Sequence, residues 1–296
     1  MKRALQIIVP FIGFFSLGCA EGSLESVGAN GEESVADEDY AVITFNALST
    51  NALTSNALTS NALTSNALTS NALTSNALTS NGITTGSLHP LLLPALQDPG
   101  PIGHNTREFF QYLIGCALDP TQIVEFSWTD TGGVVHNESV VGGVGLAPNW
   151  LVNGALSESN QHWISACIAA RTNWYGVTVP ISMRGPHLDL KHNPAGELTE
   201  YPVLEGAFWG NLFGAAPQIY ACHDSADMAN ARARNRDCAA GHLAADGSIQ
   251  ACGNIAIVGT CEDLCKKMHK PGQYLKTCGV DGSNQKNETV TVWLHD

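Results

Sequence analysis

The residues that could do chemistry lie between Val179 and Asn211, in a stretch that contains several glycines. A guanidinium, an imidazole and two carboxylates occur there, namely Arg184, His187, Asp189 and Glu205. An imidazole beside carboxylates can move protons or bind a metal ion, and functional groups concentrate on loops. A structural salt bridge between Arg184 and Glu205, joining a strand to a loop, is the other interpretation. We favour the salt bridge and keep a hydrolase that uses the four groups as the alternative function.

The cysteines in the second part of the chain predict four disulfides. The chain has nine cysteines, and an odd number would leave a reactive thiol in an exported protein. Setting Cys19 aside leaves an even set, which an oxidising compartment can pair. This set is Cys116, Cys167, Cys222, Cys238, Cys252, Cys261, Cys265 and Cys278.

Two predicted helices and a short helical turn limit how these cysteines can pair. Cys116 and Cys167 each lie near the apolar face of a predicted helix, so we expect them to bond each other. Cys261 and Cys265 are poorly placed to bond each other, because residues four apart on one helix do not meet disulfide geometry. The rest of the connectivity is open.

The remaining motifs predict neither a metal nor a cofactor. The cysteines from Cys252 to Cys278 lack the close pairs of zinc sites, so disulfides are favoured there. The run Cys222-His223-Asp224 puts a thiol beside an imidazole, but a disulfide cysteine at a surface turn explains it better. Gly142-Gly143-Val144-Gly145 lacks the full dinucleotide fingerprint and predicts a tight turn. An enzyme is therefore not favoured, although missing motifs do not exclude one.

Residues 1–18 are typical of a secretory signal. Lys2 and Arg3 precede an apolar run that ends near Phe15, and this run is shorter than the roughly 20 residues that cross a bilayer. Gly18-Cys19 resembles the bacterial lipobox, in which the cysteine carries a diacylglycerol, although Ser16 stands where that pattern prefers leucine. We predict lipidation of Cys19, with ordinary signal cleavage and no lipid as the alternative.

The charge of the chain argues against nucleic acid as a partner. The formal net charge is −13, and no cluster of lysines and arginines is present to displace phosphate counterions. Between Ala20 and Phe45 there are seven carboxylates and no basic residue. A segment with one sign of charge and little apolar surface stays solvated. We therefore predict that residues 19–45 form a lipid-anchored acidic tether.

Residues 46–85 repeat the pattern Asn-Ala-Leu-Thr-Ser every five residues. A helix turns about 100° per residue, so leucines five apart wind around every side and form no apolar face. A strand places them on alternate faces. Two interpretations stay open, a flexible stalk and a small solenoid of the pentapeptide-repeat type, and in both the segment is a spacer. A proline-rich linker is predicted over residues 86–104.

The rest of the chain, residues 105–296, predicts one α+β domain stabilised by disulfides. Apolar stripes at helical spacing predict helices over Thr106–Ala117 and Asn160–Asn173, the second starting at the polar residues from Ser157 and ending near Gly176. Alternating or β-rich segments predict strands at 124–128, 134–141, 177–183, 218–221, 254–258 and 288–294. The part from 222 to 278 is rich in cysteine and poor in large apolar residues, which predicts a disulfide-stapled layer.

Three features together resemble a group of lipoproteins from myxobacteria: the Asn-Ala-Leu-Thr repeats, the segment Ile164–Cys167 and the segment Pro180–Gly185. The resemblance extends from Asn46 to the end of the sequence. It implies a lipid-anchored protein of the outer membrane or cell surface, and it implies no activity and no catalytic residue. The expected partners are the membrane, through the lipid, and a protein or glycan that the sequence does not identify.

Overall fold

A computed structural model describes residues 93–153, 156–175, 179–191, 196–213, 217–266, 268–269, 273–281 and 286–295, with short strands at 42–44, 48–49, 83–84 and 87–88. The predicted signal, Cys19, most of the tether and most of the repeat lie outside these residues. Among the described residues, no helix has the length and apolar character needed to cross a membrane.

The described chain is a mixture of helices and strands, which confirms an α+β fold. The helices are α1 Leu93–Gln97, α2 Pro101–Ala117, α3 Trp150–Asn153, α4 Glu158–Ala170, α5 Glu197–Glu200, α6 Met228–Ala233 and α7 Cys261–Leu264, with one 3-10 turn at Leu188–Leu190. The strands are β1 Val42–Thr44, β2 Leu48–Ser49, β3 Ile83–Thr84, β4 Ser87–Leu88, β5 Ile123–Thr129, β6 Val135–Val141, β7 Thr172–Asn173, β8 Ile181–Arg184, β9 Val203–Asn211, β10 Gln218–His223, β11 His242–Leu243, β12 Ile249–Gln250, β13 Ile255–Thr260, β14 Met268–His269, β15 Tyr274–Leu275 and β16 Val290–Leu294.

A six-stranded sheet organises the domain. Its order is β1-β8-β16-β9-β10-β13, and every neighbouring pair is antiparallel except β10 with β13. Strand β9 lies inside the sheet and is buried from Val203 to Gly210. This strand is not among those predicted from the sequence, because a strand covered on both faces shows no alternation of apolar and polar residues.

One face of the sheet carries the main hydrophobic core. Phe109 and Leu113 of α2 and Ile164 of α4 join Met183 and Phe208 of the sheet in one buried cluster. The disulfide Cys116–Cys167 joins the two helices, as predicted. The helix stripes read from the sequence are therefore the core-facing sides of α2 and α4.

A layer held by disulfides covers the opposite face. There Trp209 packs with Leu264 and Leu275 around the disulfides Cys222–Cys261 and Cys265–Cys278. The fourth disulfide, Cys238–Cys252, belongs to the main core. All eight cysteines predicted to pair are paired, and Cys261 and Cys265 each bond elsewhere, as expected.

The glycine run at 142–145 caps the C-terminal end of α2. The backbone N–H of Gly143 donates to the carbonyl of Leu118 at 2.7 Å, and that of Val144 donates to the carbonyl of Gly115 at 2.8 Å. These carbonyls would otherwise lack helical partners. A Cβ on Gly143 would lie 2.6 Å from the oxygen of Gly115, so the close approach requires glycine. The predicted tight turn is thus a cap that the sequence did not identify.

Several predicted boundaries differ from the structure. Helix α2 begins at Pro101, inside the predicted linker, because proline is well suited to the first helical turn. Helix α4 begins after Ser157, whose hydroxyl accepts from the N–H of Asn160 at 3.2 Å, but it ends at Ala170 and does not continue to Asn173.

Strands from the predicted tether and spacer also pair with the domain. Strand β1 comes from the end of the predicted tether and pairs with β8, and β2 comes from the start of the repeat and pairs with β7. The strands predicted at 124–128 and 134–141 are confirmed, and they pair as the hairpin β5–β6 with a turn at Asp130–Gly133.

Removing the disulfide that joins the two core helices should lower stability strongly. We expect Cys116→Ala/Cys167→Ala to lose about 4 kcal/mol of unfolding free energy, because the bond closes a loop of 51 residues in the unfolded chain. Urea unfolding under non-reducing conditions measures the loss. The matched variant Cys238→Ala/Cys252→Ala, with a separation of 14 residues, should lose less. Equal losses, or a loss below about 1 kcal/mol for the first variant, would contradict the loop-closure account.

Candidate functional site

Arg184 is fully buried, and its N–H groups donate hydrogen bonds to groups of the fold itself. Its Nη2 lies 2.6 Å from Oε1 of Glu197, and its Nε lies 2.9 Å from the same oxygen. The guanidinium also donates to Oγ of Ser182, Oε1 of Gln273 and the carbonyl of Tyr201. Burial lowers the pKa of Arg184, and Glu197 opposes this shift. With its N–H groups engaged in this way, Arg184 is not available to a substrate.

Glu205 is also buried, and its partner is Arg236. Oε2 of Glu205 lies 2.8 Å from Nη2 of Arg236 and 2.9 Å from its Nε. Arg236 donates further to the carbonyls of Ala170 and Thr172, at the C-terminal end of α4. Burial raises the pKa of the Glu205 carboxyl, while the Arg236 guanidinium opposes the rise. This ion pair ties β9 to the end of a helix, where a cation is favourable.

The predicted salt bridge between Arg184 and Glu205 is therefore wrong. The sheet order places β16 between β8 and β9. Successive side chains of a strand point to opposite faces of the sheet. Met183 points into the core under α2 and α4, so Arg184 points to the other face. Glu205 instead reaches the end of α4 through Arg236. The two residues belong to different faces of the sheet and to different ion pairs.

His187 and Asp189 are in contact, but they stand apart from these ion pairs. Nδ1 of His187 lies 3.2 Å from Oδ2 of Asp189, at the 3-10 turn after β8. The imidazole also meets the edge of Trp163, with 5.1 Å between ring centroids. Burial lowers the pKa of His187, and Asp189 opposes the shift. The four predicted groups thus do not converge, and the hydrolase alternative loses its geometric basis.

A polar cluster that the sequence analysis missed surrounds Asp237. Its Oδ2 lies 2.7 Å from Nδ1 of His242 and accepts a hydrogen bond from the hydroxyl of Tyr175 at 3.0 Å. Trp174 stacks on the imidazole, with 4.3 Å between centroids. A carboxylate that orients an imidazole supplies two of the three groups of a hydrolytic triad. Among the described residues no serine, threonine or cysteine is hydrogen-bonded to His242, so the cluster fits a structural role.

A groove of about 400 Å³ lies where β9 ends and β10 begins. Its volume is within the range of small-molecule sites. The wall combines the rings of a tryptophan and a tyrosine with two amides and two charged groups, and more of its surface is apolar than polar. The lining residues are His162, Trp209, Gly210, Asn211, Gln218, Tyr220, Val280, Asp281 and Lys286.

The sheet positions the aromatic side of this groove. Tyr220 and Trp209 are direct cross-strand partners, with ring centroids 6.0 Å apart and an angle of 29° between the planes. Gly210 follows with a φ of +134°, and a Cβ there would collide with the backbone of β10 at Gln218. Nδ1 of His162 lies 2.8 Å from the carbonyl of Gly210, which holds α4 against the groove.

The groove suits a polar ligand that has an apolar face. Tyr220 is half-buried, so part of its ring faces the groove. Oε1 of Gln218 accepts a hydrogen bond from the Tyr220 hydroxyl, which leaves the amide N–H groups of Gln218 as donors, whereas the amide of Asn211 is engaged with Gln161 and Phe213. Asp281 and Lys286 add one charge of each sign. Of the stretch from Glu205 to Asn211 singled out in the sequence, Trp209, Gly210 and Asn211 line this groove.

Comparison of the chain with protein-family models, with curated proteins and with solved structures gives no match. The resemblance to myxobacterial lipoproteins therefore stays a prediction. The geometry of the site is what supports a function.

The buried Arg184 network should be structural, and its loss should be costly. We expect Arg184→Met to destabilise the fold by about 3–5 kcal/mol, because it leaves Glu197 buried without its cation. Asp189→Asn is the comparison, since its side chain is 41% exposed and should change stability by less than about 1 kcal/mol. Urea unfolding of both variants measures the difference. A small loss for Arg184→Met would show that the network contributes little.

Proposed function

We propose that this protein is exported from a bacterial cytoplasm, carries a lipid on Cys19 and displays a disulfide-stabilised binding domain at the outer membrane or cell surface. Four disulfides fit maturation in an oxidising, extracytoplasmic compartment. They account for eight of the nine cysteines, and the ninth is Cys19. A cysteine left over in this way, directly after Gly18, is what a lipid attachment would require.

We further propose that the groove beside Tyr220 binds a glycan. The observation that carries this proposal is the combination of an accessible aromatic ring with amide and charged groups in one cavity. A sugar ring has an apolar face that packs on an aromatic ring and hydroxyl groups that exchange hydrogen bonds with amides and carboxylates. The acidic residues between Cys19 and β1 would hold the domain away from the membrane, because β1 already pairs with β8 and the repeat follows that strand.

Lipidation of Cys19 can be tested by metabolic labelling. Cells that express the full chain are fed a radiolabelled fatty acid, and the protein is purified under denaturing conditions. We expect label in the natural chain and none in Cys19→Ser, which should also leave the detergent phase for the aqueous phase. Label that persists in Cys19→Ser, or its absence from the natural chain, would remove the anchor.

Glycan binding can be tested with a panel of neutral and acidic oligosaccharides. We expect at least one to change the tryptophan fluorescence, because Trp209 lines the groove. Tyr220→Ala should lower its affinity by about tenfold or more through loss of the aromatic contact. Tyr175→Ala, at an exposed tyrosine that does not line the groove, is the matched control and should leave the affinity unchanged. Equal affinity in both variants would exclude this groove, and binding to none of the sugars would favour a protein partner.

A further inference from the structure

Two disulfides of the stapled layer are in direct contact. Sγ of Cys222 is bonded to Cys261, and it also lies 3.5 Å from Sγ of Cys265, which belongs to the bond Cys265–Cys278. The sulfurs of Cys222, Cys261 and Cys265 all lie within 4.8 Å of one another. Among the described residues no other set of three cysteine, histidine or carboxylate ligand atoms is as close.

Local structure brings these sulfurs together. Cys261 starts the short helix α7 and Cys265 follows its end, with the N–H of Cys265 donating to the carbonyl of Cys261 at 3.0 Å. Residues four apart on a helical turn lie on the same side, so both sulfurs face β10. Cys222 lies on that strand and is fully buried. Cys278 is held by a two-way backbone pairing with Lys286.

A second groove makes this cluster accessible. It has a volume of about 380 Å³ and an apolar wall with charged residues at the side. It is lined by Leu204, Asp224, Cys261, Glu262, Cys265, Lys266, Met268 and Leu275. Cys265 is half-buried, whereas Cys222 and Cys278 are fully buried. An incoming thiol therefore meets the sulfur of Cys265 first.

We propose that this groove is a thiol–disulfide exchange site for small dithiols. In the first step a thiolate of the dithiol attacks Sγ of Cys265, and the bond to Cys278 breaks with Cys278 leaving as a thiolate. The second thiol of the reagent then attacks the mixed disulfide and releases Cys265 as a thiolate. The reagent becomes a disulfide and gives two electrons to the Cys265–Cys278 bond.

A second, intramolecular exchange then replaces the Cys222–Cys261 disulfide by a Cys222–Cys265 disulfide. The thiolate of Cys265 attacks Sγ of Cys222, the bond Cys222–Cys261 breaks, and Cys261 leaves as a thiolate. No electrons are gained or lost in this step. A collinear attack would separate the outer sulfurs by more than the 4.8 Å observed, so Cys265 must first rotate about its side-chain bond. Its release from Cys278 permits that rotation.

The products are a Cys222–Cys265 disulfide and free thiols at Cys261 and Cys278. Cys261 is buried but lines the groove, so the exchange places a free thiol at the same apolar wall. This activity is independent of the lipid on Cys19 and of the groove beside Tyr220. The contact between the two disulfides is the observation on which it depends.

Limited reduction followed by mapping of the thiols tests the proposal. The full chain is purified without reductant, treated with about one molar equivalent of dithiothreitol, trapped with iodoacetamide and digested without reduction. We expect the alkyl group on Cys261 and Cys278 and a peptide pair joined through Cys222 and Cys265. Alkylation of Cys265 and Cys278 with Cys222–Cys261 intact would overturn the proposal. Earlier opening of Cys116–Cys167 or Cys238–Cys252 would also overturn it, as would loss of all four disulfides together.

A variant without the receiving disulfide is the matched control. In Cys222→Ala/Cys261→Ala the bond Cys265–Cys278 is retained and the internal attack is impossible. We expect dithiothreitol to leave Cys265 and Cys278 as free thiols in this variant. Cys265 should therefore be alkylated in the variant and not in the natural chain. Unreactive Cys265–Cys278 in the folded variant would contradict access through the groove. The mapping of the natural chain stands alone if the variant does not fold.

Discussion

The burial of β9 on both faces is the constraint that shapes the described fold. One face is covered by α2 and α4 and the other by the layer that contains α7. The strand carries one charged residue, Glu205, and a charge in that position needs a buried partner. Arg236 supplies it and reaches the carbonyls at the end of α4 at the same time. The sheet, the helix layer and the ion pair therefore depend on one another.

The two buried ion pairs locate elements more than they add stability. Bringing charges out of water costs free energy that the pairing roughly returns, so such a pair is weak evidence of net stabilisation. Each ion pair, however, disfavours a wrong packing of the elements that carry it, because a wrong packing would leave one of the two charges buried without a partner. The Arg236 pair specifies how α4 meets β9, and the Arg184 pair specifies how α5 and Gln273 meet β8. We regard both as positional constraints.

The two faces of the sheet differ in how they are stabilised. The helix side has large apolar side chains in quantity, including Phe109, Leu113 and Ile164. The other side has fewer, and covalent staples compensate for a small core. Both grooves contain residues of this stapled side, Val280 and Asp281 in one and Cys261 and Cys265 in the other. Residues placed on short segments need a rigid support to keep a fixed geometry, and the disulfides provide it.

The sequence by itself determined the local elements and the parity of the cysteines. The apolar stripe of α2, the cap at Ser157 and the strands of the hairpin β5–β6 follow from neighbouring residues and from periodicity, and the Cys116–Cys167 pair was expected from the apolar faces of the two predicted helices. The partners of Arg184 and Glu205, the other three disulfides and both grooves were decided by the tertiary structure. The physical reason is that periodicity is a property of adjacent residues, whereas contacts depend on strand order. Because β16, from the end of the chain, inserts between β8 and β9, residues that look like neighbours along the sequence are separated, and distant ones meet.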